Sequence, residues 1–317
     1  MSAQRFRTHI VSILTLLGLL LATLFAGMPA TQAAPSRPRD PNQTAVSSDG
    51  SLTDVAESAP QNRRLRSVSS FAGTGELVAG GTLTVNDTPV PAIDGSSTES
   101  IIGSDSRYQI GGTTTFPYRA IVQITFNQGA GSYMCTGWMI GNNTVATAGH
   151  CVFDNGAWAS NVRVYPGRNG NSTPYGSCTA RTLYSVTGWT QSKDTNYDYG
   201  AIKLNCTVGN STGWFGFRWT SSSMNGQASY LSGYPGDKSY GTQWRADDSI
   251  RLSYTRLLYY ANDTYGGMSG APVWNSNSGC NTCGISIHTN GTDGTSYNHG
   301  TRITQDVFNN LINWRNA

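Results

Sequence analysis

From about residue 100 onward, apolar and polar positions alternate in short runs, each closed by glycine or another turn-forming residue. Such runs occupy residues 120–126, 161–165, 199–204, 228–234, 250–260 and 284–288. Many short strands at turn-separated spacing predict a barrel or sandwich, not a parallel sheet crossed by helices. Only the C-terminal stretch has helical period. Val307, Leu311 and Trp314 fall on one face, which predicts a single closing helix over about 303–315. Composition agrees with an all-β reading: glycine fills 37 positions and charged residues make up only 12% of the 317.

The first 99 residues have a different texture. Arg5 and Arg7 lead into an apolar run at 10–26, and small residues ending in Thr31-Gln32-Ala33 follow, the pattern of a signal peptide over 1–33. An uncleaved anchor is the alternative, but the run is short of the ~20 residues that span a bilayer. Residues 34–99 are rich in Ser, Pro, Thr and Asp, lack cysteine, and carry Arg63-Arg64-Leu65-Arg66. They read as a pro-segment, with a disordered linker as the alternative. The expected product is a secreted, extracellular and monomeric domain over 100–317, with no membrane contact after signal cleavage.

All six cysteines, Cys135, Cys151, Cys178, Cys206, Cys280 and Cys283, lie in that domain. An even count in an exported chain predicts disulfides, of which fifteen pairings are open. A neighbours-first arrangement is expected: 135 with 151, 178 with 206, 280 with 283. A zinc site is the rival, weakened because only one CxxC is present. The net charge of +3 is small and its basic residues are scattered, so no nucleic-acid partner is expected.

Three local signals carry chemistry. Thr147-Ala148-Gly149-His150-Cys151 sets a histidine after small residues, Asn196-Tyr197-Asp198-Tyr199-Gly200 opens an apolar strand with a carboxylate, and Gly266-Gly267-Met268-Ser269-Gly270 puts a serine in a glycine-dense turn. Acyl transfer needs these three roles: a hydroxyl nucleophile, a base for its proton, and a carboxylate that orients the base. His150, Asp198 and Ser269 are therefore the expected triad. The N–H groups of Gly267 and Ser269 are the expected oxyanion hole, worth roughly 3–4 kcal/mol per donor. The nucleophile elbow GxSxG is excluded by Ala271, and no HExxH zinc motif occurs. The chemistry needs neither metal nor organic cofactor. Two rivals of another class are a protease-like binding protein, which would usually have lost a triad member, and a carbohydrate-binding module built on the many aromatic residues.

With these motifs in place the chain resembles the chymotrypsin-like serine endopeptidases, and among them the bacterial glutamyl endopeptidases of the V8-like family. The resemblance covers nearly all of 100–317 and is carried by Ile102-Gly103-Ser104-Asp105, Thr136-Gly137-Trp138, the segments 145–151, 196–202 and 263–270, and His288-Thr289-Asn290-Gly291, among others. It implies two six-stranded antiparallel β-barrels, one over about 100–206 and one over about 207–302, with the active site in the cleft between them. It also implies peptide and protein substrates, a mature N-terminus at Ser100, a specificity pocket containing Thr264 and His288, and a substrate-pairing edge at Thr289, Asn290 and Gly291.

One observation bears on specificity without the family. Glutamate occurs only at Glu57, Glu76 and Glu99, and the stretch 100–317 has none, where roughly a dozen would be expected at ordinary usage. A protease that cuts after glutamate would be expected to lose that residue from its own loops. Glu99 directly precedes Ser100, so self-cleavage there is a consistent maturation step. A buried substrate carboxylate needs donors, and His288, on an alternating strand with Ser286, is the leading one. A structural role for His288 is the alternative, and His299 reads as structural or surface. Asp263 argues the other way. It stands six residues before Ser269, where trypsin-like relatives carry the aspartate that selects Arg or Lys. Met268 departs from those relatives too, because it cannot pair with a freed amine as their aspartate does. The freed amine of Ser100 is then expected to act near the specificity pocket.

Overall fold

The computed structural model describes residues 40–51, 65–78 and 100–317. The signal peptide expected over 1–33, Glu57, Arg63-Arg64 and Glu99 lie outside the described residues. Eighteen strands are described, and they are numbered in chain order. Three precede the barrels: β1 (Ala45–Ser47), β2 (Ser67–Val68) and β3 (Tyr108–Gln109).

The first barrel is built from β4 (Ile121–Gln128), β5 (Gly131–Met139), β6 (Thr144–Thr147), β9 (Ser160–Pro166), β10 (Cys178–Val186) and β11 (Gly200–Leu204). They hydrogen-bond in the order β9-β4-β5-β6-β11-β10, and β10 closes back on β9. A small hairpin, β7 (Phe153–Asp154) with β8 (Ala157–Trp158), hangs from its rim. The second barrel uses β13 (Ala228–Gly233), β14 (Trp244–Ser253), β15 (Leu257–Tyr260), β16 (Pro272–Asn277), β17 (Asn281–Asn290) and β18 (Asn298–Arg302). Their order is β16-β13-β14-β15-β18-β17, closed by β16 on β17, and β12 (Gly216–Arg218) adds to β17 in parallel. Both rings are antiparallel throughout and close on themselves, β10 on β9 and β16 on β17.

Strict inside–outside alternation breaks down where one barrel packs on the other. In β4 the first four residues, Ile121, Val122, Gln123 and Ile124, are all fully buried, because one face fills the barrel and the other meets neighbouring structure. The larger core joins the first barrel to the C-terminal helix, and a smaller one, including Leu231, Ile250, Leu258, Val273 and Ile285, fills the second. Each such side chain contributes about 1.5–3 kcal/mol relative to exposure.

Two one-turn helices, α1 (Thr187–Thr190) and α2 (Gly209–Thr212), precede the closing helix α3 (Gln305–Asn316). The hydroxyl of Thr304 caps α3 by accepting from Val307 N. At its other end, the buried ammonium of Lys203 donates to the carbonyls of Trp314 and Arg315, where a cation suits the helix dipole. Val307, Leu311 and Trp314 are buried as their spacing predicted, and Trp314 lies against Tyr184 and Tyr199 of the first barrel.

Two expectations are corrected. The run 250–260 is not one strand but a hairpin, β14 ending at Ser253 and β15 starting at Leu257. Residues 100–110, placed with the first barrel on sequence order, run along the second: β3 pairs with β14, and Ile110 N donates to Gln243 O. The cysteines pair neighbours-first, 135 with 151, 178 with 206 and 280 with 283. Among the described residues no helix is long and apolar enough to cross a membrane.

Candidate active site

His150 leaves the end of β6 through Ala148 and Gly149, and Asp198 closes the single turn 195–197 that opens β11. Asp194 caps this turn by accepting from Asn196 N at 2.9 Å. The Asp198 carboxylate is almost fully buried and holds His150 twice. Oδ1 accepts the backbone N–H of His150 at 2.9 Å and Oδ2 meets Nδ1 at 2.7 Å. Gly149 is required for this approach: a Cβ there would stand 2.9 Å from Asp198 Oδ1 and against the Trp189 ring. The carbonyl of Asp198 accepts from Thr301 Oγ1 at 2.9 Å, which ties the carboxylate's backbone to the second barrel. With Nδ1 engaged by a carboxylate, the ring is set to hold its proton on that side and to work as a base through Nε2.

Ser269 sits in the turn before β16, pinned by backbone bonds to both barrels. Its carbonyl accepts from Thr136 N at 2.8 Å, and the next N–H, of Gly270, reaches His288 O at 2.7 Å. Gly270 has φ +85°, and a Cβ there would overlap Thr136 O and Thr147 Oγ1, so the serine turn lies directly on the strands that lead to His150. Sγ of Cys151 is 3.8 Å from the Ser269 carbonyl, so the 135–151 disulfide braces both motifs. Within the turn, Met268 N is taken up by Tyr265 O. Gly267, the other expected oxyanion donor, has φ +99°, a conformation that favours glycine.

The residues expected to read the substrate gather at one end of the second barrel. His288 is fully buried on β17, with Nδ1 2.7 Å from the Tyr260 hydroxyl. Burial, with the nearby His299 and His150 adding, pushes its pKa down to about 3, so the ring is neutral at ordinary pH. Thr264 is also fully buried, and its hydroxyl has no hydrogen-bond partner among the described residues. The ladder between β16 and β17 begins at Pro272 and Ile287, leaving Thr289, Asn290 and Gly291 beyond it; the Gly291 carbonyl is 3.0 Å from His299 Nδ1. Ser100 stands beside this group. Its carbonyl accepts from Thr264 N and from Asn298 Nδ2, and its hydroxyl is 3.3 Å from that of Thr292.

Asp263 turns away from any role as a free anion. Oδ1 accepts from Ile102 N at 2.6 Å, and Oδ2 accepts from both N and Oγ of Ser106. Sequence reading missed Tyr260, which meets His288, and Asn298, which donates to the Ser100 and Asn262 carbonyls; these partners are distant in the chain and leave no local signal.

The trypsin family pattern, described as "Trypsin", matches residues 109–312. The chain belongs to the trypsin family. This trypsin-family chain is 45% identical, over 95% of its length and 95% of the relative's, to a glutamyl endopeptidase of Bacillus licheniformis. It is equally 45% identical, over 98% of both chains, to a Bacillus subtilis protein named extracellular metalloprotease. A solved Glu endopeptidase in complex with MPD is matched along 100% of its chain by 68% of this one, with 29% identity and a TM-score of 0.63. The fold is thus chymotrypsin-like, and the trypsin-family chain is a serine endopeptidase.

The name of the Bacillus subtilis relative raises a metal, and the candidate ligands among the described residues do not suit one. Among the described residues, the His/Cys/Asp/Glu group close enough to hold an ion, Cys135, His150 and Cys151, has both sulfurs in a disulfide and Nδ1 of the histidine against Asp198. A disulfide supplies no thiolate ligand.

Proposed function

We propose that this chain is a secreted endopeptidase that cleaves peptide bonds after glutamate, with His150, Asp198 and Ser269 as its triad. The observation that carries the reading is the double hold of Asp198 on His150. Ser269 Oγ attacks the peptide carbonyl while His150 takes its proton, and the same proton passes to the leaving amine as the acyl-enzyme forms. Water then attacks the ester, again through His150, and releases the acid. Gly267 and Ser269 N–H groups receive the oxyanion.

Glutamate specificity is supported by three features. The protease domain contains no glutamate. Thr264 offers a buried hydroxyl without a partner among the described residues, and His288 is a neutral, buried imidazole held by Tyr260. Neutral donors suit a carboxylate without demanding that a bare cation be kept out of water. The Arg/Lys alternative loses its basis, because Asp263 spends both oxygens on the segment after Ser100. Thr289, Asn290 and Gly291 pair with the substrate backbone by strand addition. Export as a pro-enzyme, with signal residues 1–33 and maturation before Ser100, fits the apolar run at 10–26 and the position of Glu99.

The test is a peptide panel differing only in the residue before the cut, Glu, Asp, Arg, Lys or Phe, run with the wild type and with Ser269→Ala. Cleavage after Glu, and a loss of several orders of magnitude in the variant, is expected. Cleavage after Arg or Lys would overturn the specificity, and an active variant would overturn the triad.

A further inference from the structure

Residues 40–51 lie near the start of the pro-segment, far ahead of Ser100 in the chain, yet they are built into the first barrel. Strand β1 adds to the end of β10, pairing Ala45 with Val186 and Ser47 with Tyr184. Ser48 N donates to Leu183 O, and Leu183 N donates back to Ser48 Oγ. Gln43, Ala45 and Ser47 are buried to the level of core residues. Backbone pairing with alternate side chains inserted is the way an extended peptide joins a sheet.

The contacts converge on the two tyrosines that flank Asp198. The Tyr197 hydroxyl donates to Asp40 Oδ2 at 2.7 Å, and that carboxylate also receives the Arg256 guanidinium, which lies over the Tyr197 ring. The Tyr199 hydroxyl donates to Gln43 Oε1 and accepts from Asn310 Nδ2, whose amide also donates to the Gln43 carbonyl. The residue that orients His150 therefore lies between two side chains anchored on the pro-segment.

We propose that residues 40–51 remain in this groove after the chain is cut before Ser100, as a non-covalently held strand of the working enzyme, and that Asp40 and Gln43 are positioning residues for Asp198. The inference rests on the reading of Ser100 as the mature N-terminus. A cut at that point severs none of the contacts described here. Leaving the groove would strip Tyr199 of its buried acceptor and expose the end of β10.

Two arms test this. In the first, full-length Ser269→Ala carries a foreign protease site within 85–95, is cut there, and is passed over a sizing column before denaturing mass spectrometry. A peptide containing 40–51 is expected to elute with the domain in equal amount, and its elution apart from the domain would overturn the proposal. This arm needs no activity of the chain, so it stays readable even if the proposed function fails. In the second arm, Asp40→Ala and Gln43→Ala are matured and their active sites titrated. We expect kcat to fall roughly three- to tenfold with KM unchanged. The acid limb of the rate profile should move to lower pH, because the imidazolium loses part of its carboxylate partner. Asp40→Asn, which keeps an acceptor for Tyr197, should recover most of the rate. Variants that lower only the yield of active enzyme, with kcat and acid limb as in the wild type, would reduce the segment to a folding aid and sink its positioning role.

Discussion

Asp263 Oδ1 accepts the backbone N–H of Ile102 at 2.6 Å, so the carboxylate expected at a basic-residue pocket instead fastens the segment that follows Ser100. Its other oxygen takes two bonds from Ser106. Asp263→Ala would strand three donors, each costing about 1–3 kcal/mol if left unmade. The expected outcome is a large drop in the urea midpoint with no change in which residue precedes the cut. A variant that gains cleavage after Glu while losing cleavage after Arg would place the side chain in the pocket after all.

Asp198→Asn should leave the fold in place and reduce kcat by about 10⁴, because an amide can stabilise the wrong tautomer of His150 and cannot balance its charge. Steady-state kinetics on a Glu-containing peptide read this directly, with circular dichroism as the check on folding. A loss below tenfold would contradict the role assigned to the carboxylate.

Gly149→Ala tests the approach of the two residues by sterics alone. The added methyl would stand 2.9 Å from Asp198 Oδ1 and from Trp189, so carboxylate or ring must shift. Since misplacement by about 1 Å can cost 10²-fold, we expect kcat to fall by about that factor. Equal rates in variant and wild type would show the neighbourhood to be looser than described.

His288 makes stability depend on acid. Its folded-state pKa is about 3 against an ordinary value of 6.5, so between these limits the unfolded chain binds a proton that the folded chain refuses. Stability from this group is present above pH 6.5 and is lost as pH falls toward 3. Burial also lowers His299, which adds to the same trend. His288→Gln should flatten this part of the acid slope, measured as urea midpoints from pH 7 to pH 4, and should also lower the preference for Glu over Phe. An unchanged slope would argue against a neutral, buried ring.

Ser100 contributes its carbonyl to Thr264 N and Asn298 Nδ2 at the edge of the proposed specificity pocket. A mature enzyme carrying one extra residue before Ser100 should therefore be impaired, read as a fall in kcat/KM on Glu substrates. Full activity would remove the freed amine from the mechanism.

The strands, the closing helix and the three motifs proposed as catalytic were legible because each rests on a local pattern. Alternation marks a strand face, Val307, Leu311 and Trp314 mark a helix face, and glycines around Ser269 mark a turn that brings backbone close. The run 250–260 was misread because residues 254–256 carry no glycine or proline to signal their turn, and tyrosines and leucines continue through the hairpin. The place of residues 100–110 was misread because chain order says nothing about which barrel a leading segment will follow.

The sequence alone determined the all-β class, the three motifs proposed to carry the chemistry and the absence of glutamate from the domain, since these follow from residue type and short-range spacing. Tertiary structure alone decided where Asp263 spends its charge, that Tyr260 holds His288, and that Asp40 and Gln43 meet the tyrosines beside Asp198. Those outcomes depend on which distant polar groups are buried together. Once water is excluded, each such group must bond whatever neighbour the packed barrels bring within reach.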